Sequence, residues 1–173
     1  MLMKLCELPP FAEHMTFENF NLTSGNKEAY HVAQEIASGK MRWLTMCGQT
    51  HKGKTHLALA VCQEWLRQNK PARYAYVPRL LSELREGIND GSLEYRFKVY
   101  CTIPLLILDD LGSEKSTEWV VERLTTILNE RLMKELPLVV TTNCALDALP
   151  GDDEHRIQSR LEREYWCRVV EVA

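Results

Sequence analysis

The segment Gly48-Gln49-Thr50-His51-Lys52-Gly53-Lys54-Thr55 carries the sharpest chemical signal in the chain. It fits the pattern of a glycine, four residues, then Gly-Lys-Thr, which cradles phosphate when it links a strand to a helix. Gly53 lets the chain wrap tightly, so that successive backbone N–H groups point inward at phosphate oxygens. The helix opening near Lys54 adds its positive end. In such loops the lysine reaches the β- and γ-phosphates and the hydroxyl ligates Mg²⁺, roles that fall here to Lys54 and Thr55. The segment therefore predicts ATP and Mg²⁺ as cofactors. His51 is bulky for a loop that often carries a third glycine, so it must accept whatever backbone angle the loop imposes. His56 follows on the helix as a packing or supporting residue beside the loop.

Two more segments end in polar side chains. Pro104-Leu-Leu-Ile-Leu-Asp-Asp-Leu-Gly112 is an apolar run closing on two carboxylates. Ligands of open α/β sheets sit at the carboxyl ends of strands. Asp109 would hold Mg²⁺, through water, and Asp110 would orient or deprotonate an attacking water. Leu138-Val-Val-Thr-Thr-Asn143 ends in Thr142 and Asn143. Asn143 would hydrogen-bond the γ-phosphate or the lytic water; a plain strand-to-turn asparagine is the alternative.

These residues need a scaffold. Five short runs read as strands: Trp43–Cys47, Tyr74–Val77, Leu105–Leu108, Leu138–Thr142 and Arg168–Val172. Several are continuously apolar, which suits strands covered on both faces. Helical spacing links them. Leu57, Ala58, Val61, Cys62, Trp65 and Leu66 form one face over 54–69, and Val120, Val121, Leu124, Ile127, Leu128 and Leu132 another over 117–136. A further helix is expected over 26–39, capped by Ser24 or Asn26. Residues 78–101 read as two short helices broken at 87–91. The alternation predicts an α/β fold, a three-layer αβα unit around a five-stranded parallel sheet.

At 173 residues, with 45% hydrophobic and 26% charged residues, the chain is an ordinary globular domain. Its net charge of −3 confines any nucleic-acid contact to a local patch. None of the six cysteines forms a CxxC pair, and they read as small buried hydrophobes in a reducing compartment. No apolar run approaches the ~18 residues that span a bilayer, and the start lacks a signal-peptide core, so a cytoplasmic protein without membrane contact is expected.

The phosphate loop with His56, the Leu-Asp-Asp-Leu-Gly strand, the Thr-Thr-Asn strand and Arg156-Ile-Gln-Ser-Arg-Leu161 occur in this order. Together they resemble the AAA+ ATPases of the DnaC/DnaI helicase-loader and IstB transposition-helper group. Met15-Thr-Phe-Glu-Asn-Phe20 is similar to that group's entry segment. The resemblance implies a P-loop NTPase core over 26–173. It also implies an irregular lead-in over 1–25, with Phe20 in the adenine pocket, and a lid reduced or absent. It carries the nucleotide and metal roles onto Lys54, Thr55 and Asp109, a catalytic role onto Asp110, and the phosphate-sensing role onto Asn143. Arg160 takes the place of an arginine finger for a neighbouring subunit, with Arg156 the second choice. The implied partners are a replicative DNA helicase, single-stranded DNA and further copies of the chain.

Residues 67–98 hold Arg67, Lys70, Arg73, Arg79, Arg85, Arg96 and Lys98 against Glu83, Glu86, Asp90 and Glu94, with Tyr95 and Phe97 as stacking surfaces. This is the expected DNA patch. Three alternatives remain at this point: a transposition helper, a nucleotide-gated binding module with little hydrolysis, and a small-molecule P-loop kinase.

Overall fold

A computed structural model describes residues 6–163, 165 and 167–173; residues 1–5 of the expected lead-in lie outside the described residues. Five parallel strands form one sheet: β1 (Trp43–Cys47), β2 (Ala72–Tyr76), β3 (Leu105–Leu111), β4 (Leu138–Thr142) and β5 (Cys167–Glu171). Their order across the sheet is β2-β3-β4-β1-β5. The helices between them are α1 (Lys27–Ala37), α2 (Lys54–Arg67), α3 (Val77–Asp90), α4 (Leu93–Thr102), α5 (Glu118–Met133) and the short α6 (Gln158–Leu161).

Strand side chains alternate between faces, and this divides each apolar run between two cores. Leu44, Met46, Leu105, Ile107 and Val139 pack with Ala29, Val32 and Ile36 of α1 and with Leu57, Ala58 and Val61 of α2. Trp43, Leu106, Leu108, Leu138 and Val140 pack with Leu80 and Leu84 of α3 and with Val120, Leu124 and Ile127 of α5. The αβα layering follows directly, with β3 and β4 buried along their length apart from the half-buried Asp110.

Several boundaries differ from expectation, each for a local reason. β2 ends at Tyr76 because Pro78 sits in the first turn of α3, where its missing N–H is no loss. The break expected over 87–91 falls at its far end, at Gly91 (φ 74°). Gly87 lies within α3, where a Cβ would come 2.9 Å from Leu93 Cα, so it serves the close packing of the two helices. β3 runs on to Leu111 through an irregularity between Leu108 and Leu111. Asn26 occupies the cap position of α1 but makes no side-chain cap bond. It accepts instead from Thr23 N at 2.8 Å and donates to Asn21 O at 3.0 Å, bracing the preceding loop.

The lead-in is tied to α2. Gln63 donates to Ala12 O (2.6 Å) and Met15 O (2.8 Å), and His56 Nε2 meets Thr16 O at 2.8 Å. His56 and Gln63 are seven residues apart and so share one helix face. A 3₁₀ turn, Pro10–His14, lies under this seam.

At the opposite end of the sheet Arg131 of α5 is fully buried. Its guanidinium donates to Tyr100 O, Ile103 O, Pro104 O and Pro137 O at 2.5–3.1 Å. These carbonyls lead into the amino ends of β3 and β4. Burial pushes the guanidinium down, to about 9, which still leaves it charged at neutral pH.

Candidate nucleotide site

The loop after β1 is held by backbone angles that few residues accept. Gly48 (φ 136°), His51 (φ 61°) and Gly53 (φ 94°) all have positive φ. A Cβ on Gly48 would fall 2.3 Å from Val172 O, and one on Gly53 would fall 2.7 Å from Phe20 Cε2. His51 thus carries the strain expected of a side chain where glycine is usual, of order 1–3 kcal/mol. The loop opens α2 at Lys54, which is almost wholly buried. Lys54 Nζ donates to Gly48 O (2.7 Å) and Gln49 O (2.6 Å). Burial pulls this amine below its ordinary value, against the attraction of Asp110 and Asp109.

Asp109 lies at the centre of a hydroxyl cluster. Its Oδ1 accepts from Thr55 (2.9 Å) and from Thr141 of β4 (2.6 Å). Its Oδ2 accepts from Tyr74 of β2 at 2.7 Å. Burial beside this carboxylate pushes the Tyr74 phenol far up, so it remains a donor. Three elements thus converge on one buried anion that has no side-chain cation bonded to it among these contacts.

Asp110 sits at φ 63° in the irregular part of β3. Left-handed backbone suits the short Asp side chain better than most. Its N–H donates to Thr141 Oγ1 at 2.9 Å, and its Oδ1 accepts from Asn143 Nδ2 at 2.7 Å. The two residues expected to handle water therefore touch each other. Thr142 turns away, with its hydroxyl on Leu111 O.

On the other side of the loop, Phe20 stacks on Tyr30 (5.7 Å between centroids) and meets the His56 ring edge-on at 5.1 Å. A cavity of about 270 Å³ here is lined by Phe20, Asn21, His51, Lys52, Gly53 and His56, among others. A second, of about 570 Å³, reaches Thr55 and Asp109 from the β2 side. The structure thus brings together Gly48–His56, Phe20, Asp109, Asp110 and Asn143. Arg160 is placed elsewhere. Its Nε donates to Asn129 (2.8 Å) and its Nη1 to Arg156 O (2.6 Å) and Ser159 Oγ (3.1 Å), none of them loop or strand-end residues. Arg156 pairs with Glu154 at 3.4 Å.

Two site residues escape sequence reasoning. Thr141 and Tyr74 belong to apolar strands and look like packing residues. The available signal is register: Tyr76 pairs with Asp109 across β2 and β3, so a hydroxyl two residues earlier lies near the carboxylate.

The expected DNA patch is not an open basic surface. Arg67 pairs with Glu18 and Glu64, Arg73 with Glu7 and Glu83, Arg79 with Glu83, and Arg96 with Glu86 and Asp90. Arg85 lies over the Trp119 ring at 5.1 Å. Tyr95 is exposed, but Phe97 packs against the core, so only one of the two expected stacking rings is presented.

The donor set fits a hard cation with oxygen ligands: a carboxylate, a neighbouring hydroxyl and room for phosphates. Among the described residues no group of three or more His, Cys, Asp or Glu side chains could hold a metal by itself. Mg²⁺ suits such a site, since it usually binds through one or two carboxylates and substrate phosphates. Thr55 and Asp109 would hold it.

Comparison with known proteins identifies the family. The family model for IstB-like ATP binding proteins matches residues 1–154. The replicative helicase loader DnaI of Bacillus subtilis is 30% identical over 163 residues, covering 90% of this chain and 52% of that protein. The ATP-binding protein Rv3427c of a Mycobacterium tuberculosis insertion sequence is 30% identical over 141 residues, covering 78% and 55%. The chain spans about half the length of these curated relatives. A structure of the replication initiator DnaA bound to AMPPCP and single-stranded DNA superposes with a TM-score of 0.84 at 25% identity, over 96% of this chain and 51% of that one. The chain belongs to the IstB-like ATP-binding proteins, in the AAA+ group that includes the DnaI and DnaC helicase loaders.

Proposed function

We propose that this chain is the ATP-binding and ATP-hydrolysing core of a DNA replication helicase loader that acts on single-stranded DNA. The observation that carries the reading is the joined set Thr55–Asp109 and Asp110–Asn143, beside the phosphate loop. A module that only binds nucleotide has no need of the second pair.

In this reading the loop N–H groups and Lys54 hold the phosphates. An anion in the loop competes with Gly48 O and Gln49 O for the lysine. Thr55 and Asp109 would hold Mg²⁺, which would supply positive charge against the negative charge building on the phosphate oxygens. Asp110 accepts a proton from, or orients, the attacking water, and Asn143 fixes the Asp110 carboxylate while donating to the water or the γ-phosphate. Phe20 and the cavity beside it take the adenine, which makes the lead-in part of the site. Arg160, which makes none of its hydrogen bonds to its own phosphate loop, acts on the nucleotide of a second copy. A finger supplied in trans raises hydrolysis by ~10³–10⁵.

The helicase and single-stranded DNA are proposed from the DnaI relative and from the DnaA structure, and a cytoplasmic setting goes with them. Among the described residues no helix is long and apolar enough to cross a membrane. The transposition-helper reading is favoured by the family model and by the Rv3427c relative. A pull-down with the host replicative helicase, with and without ATP and single-stranded DNA, decides between them. ATP-dependent capture of the helicase supports the loader; capture of the transposase alone overturns it. Hydrolysis per subunit should rise with protein concentration, and Arg160→Ala should abolish that rise. An unchanged rate on dilution removes the trans finger.

A further inference from the structure

We propose that Tyr74 is a positioning residue for the metal-binding carboxylate, locking Asp109 so that Oδ1 faces Thr55. The proposal rests on the nucleotide and Mg²⁺ reading above.

A carboxylate has two oxygens and about four lone-pair directions. Thr55 and Thr141 both use Oδ1, at 2.9 and 2.6 Å. Turning about the Cβ–Cγ bond moves both oxygens together, so the Tyr74 hydroxyl, 2.7 Å from Oδ2, adds a second anchor against the rotation that the donors on Oδ1 resist. Both side chains are largely buried, Tyr74 at 9% exposure and Asp109 at 4%, and the phenol is the donor the structure gives to Oδ2. The ring of Tyr74 packs with the core shared by α1 and α2. Phenylalanine would satisfy that packing equally well, so the carboxylate is the one group that needs the hydroxyl. The larger cavity reaches Tyr74, Thr55 and Asp109 together, so the cluster borders space that a ligand can occupy. Partners of this kind orient metal-binding side chains, and their loss usually weakens metal affinity by ~10–100-fold.

The test uses Tyr74→Phe, which keeps the ring and deletes the donor. Dissociation constants of a fluorescent ATP analogue are measured in EDTA and in excess Mg²⁺, for wild type and variant. The wild type should bind more tightly with Mg²⁺. The variant should match it in EDTA and lose about tenfold of the Mg²⁺-dependent gain, and a higher Mg²⁺ concentration should restore tight binding. Thr141→Val, which removes a donor from the other oxygen, should lose part of the same gain. A merely structural role would shift both conditions equally. An identical Mg²⁺-dependent gain in wild type and Tyr74→Phe overturns the proposal. Failure of the wild type to bind the analogue is a different result: it overturns the reading of the site, and the proposal with it.

Discussion

β3 and β4 bury one charge at each end, and the two ends handle it differently. At the amino end, Arg131 is surrounded by main-chain carbonyls of Tyr100, Ile103, Pro104 and Pro137. At the carboxyl end, Asp109 is surrounded by hydroxyls of Thr55, Tyr74 and Thr141. Carbonyls fixed in the backbone cannot turn toward another partner without moving the chain. Hydroxyls rotate, and can share their lone pairs with an incoming cation while still donating to the carboxylate. The first arrangement is built to remain closed and the second to receive something. Burial of a charge, taken alone, therefore does not separate structural from functional sites; the nature of its partners does.

The largest expected effect tests the closed end. Arg131→Met should destabilise the fold by ~3–5 kcal/mol, because buried carbonyls lose charged donors at ~1–3 kcal/mol each and the packing compensates only in part. Urea unfolding measures this, and the folded fraction should still bind ATP. A loss of ATP affinity in fully folded protein would break the contrast.

Next in size is the open end. Asp110→Asn should slow hydrolysis by ~10²–10³, a barrier increase of ~3–4 kcal/mol, while the unfolding midpoint stays within experimental error. Release of phosphate at saturating ATP is the measurement, and a variant that unfolds without losing turnover would reverse the assignment. The smallest effect is expected at Thr141, whose hydroxyl donates to Asp109 Oδ1 and accepts from the Asp110 backbone N–H. Thr141→Val should cost ~1–2 kcal/mol of stability, since two hydrogen bonds are lost and the Asp110 N–H is left without this acceptor. It sharpens the contrast if the loss shrinks when ATP and Mg²⁺ are present.

The reactive half of the molecule was more legible from the residues than the inert half. The phosphate loop stands out because its residue types have few other uses at that spacing, and Asp109, Asp110 and Asn143 stand out by closing apolar strands in the same chain. Strand positions were visible from apolar runs, and their faces follow from alternation. Tyr74 and Thr141 were hidden because aromatic and β-branched residues are ordinary strand formers. Only cross-strand register reveals what their hydroxyls meet. Arg131 left a fainter trace. It stands four residues after Ile127 and seven after Leu124, on the apolar face of α5, where a solvated arginine would be out of place. The basic stretch misled because composition counts charges without counting their partners. Arg73 and Arg96 are taken up by Glu83, Glu86 and Asp90 of α3 and by Glu7 of the lead-in.

The left-handed backbone at Asp110 constrains how this lineage can change. Glutamate accepts positive φ less readily than aspartate, and its extra methylene would carry the carboxylate past Asn143. The chain does hold glutamate at such angles, at Glu7 and Glu135 (φ 54° each), so Asp110→Glu should keep the irregularity between Leu108 and Leu111 while misplacing the carboxylate. Carboxylate length and strand shape are thus coupled here through Asn143.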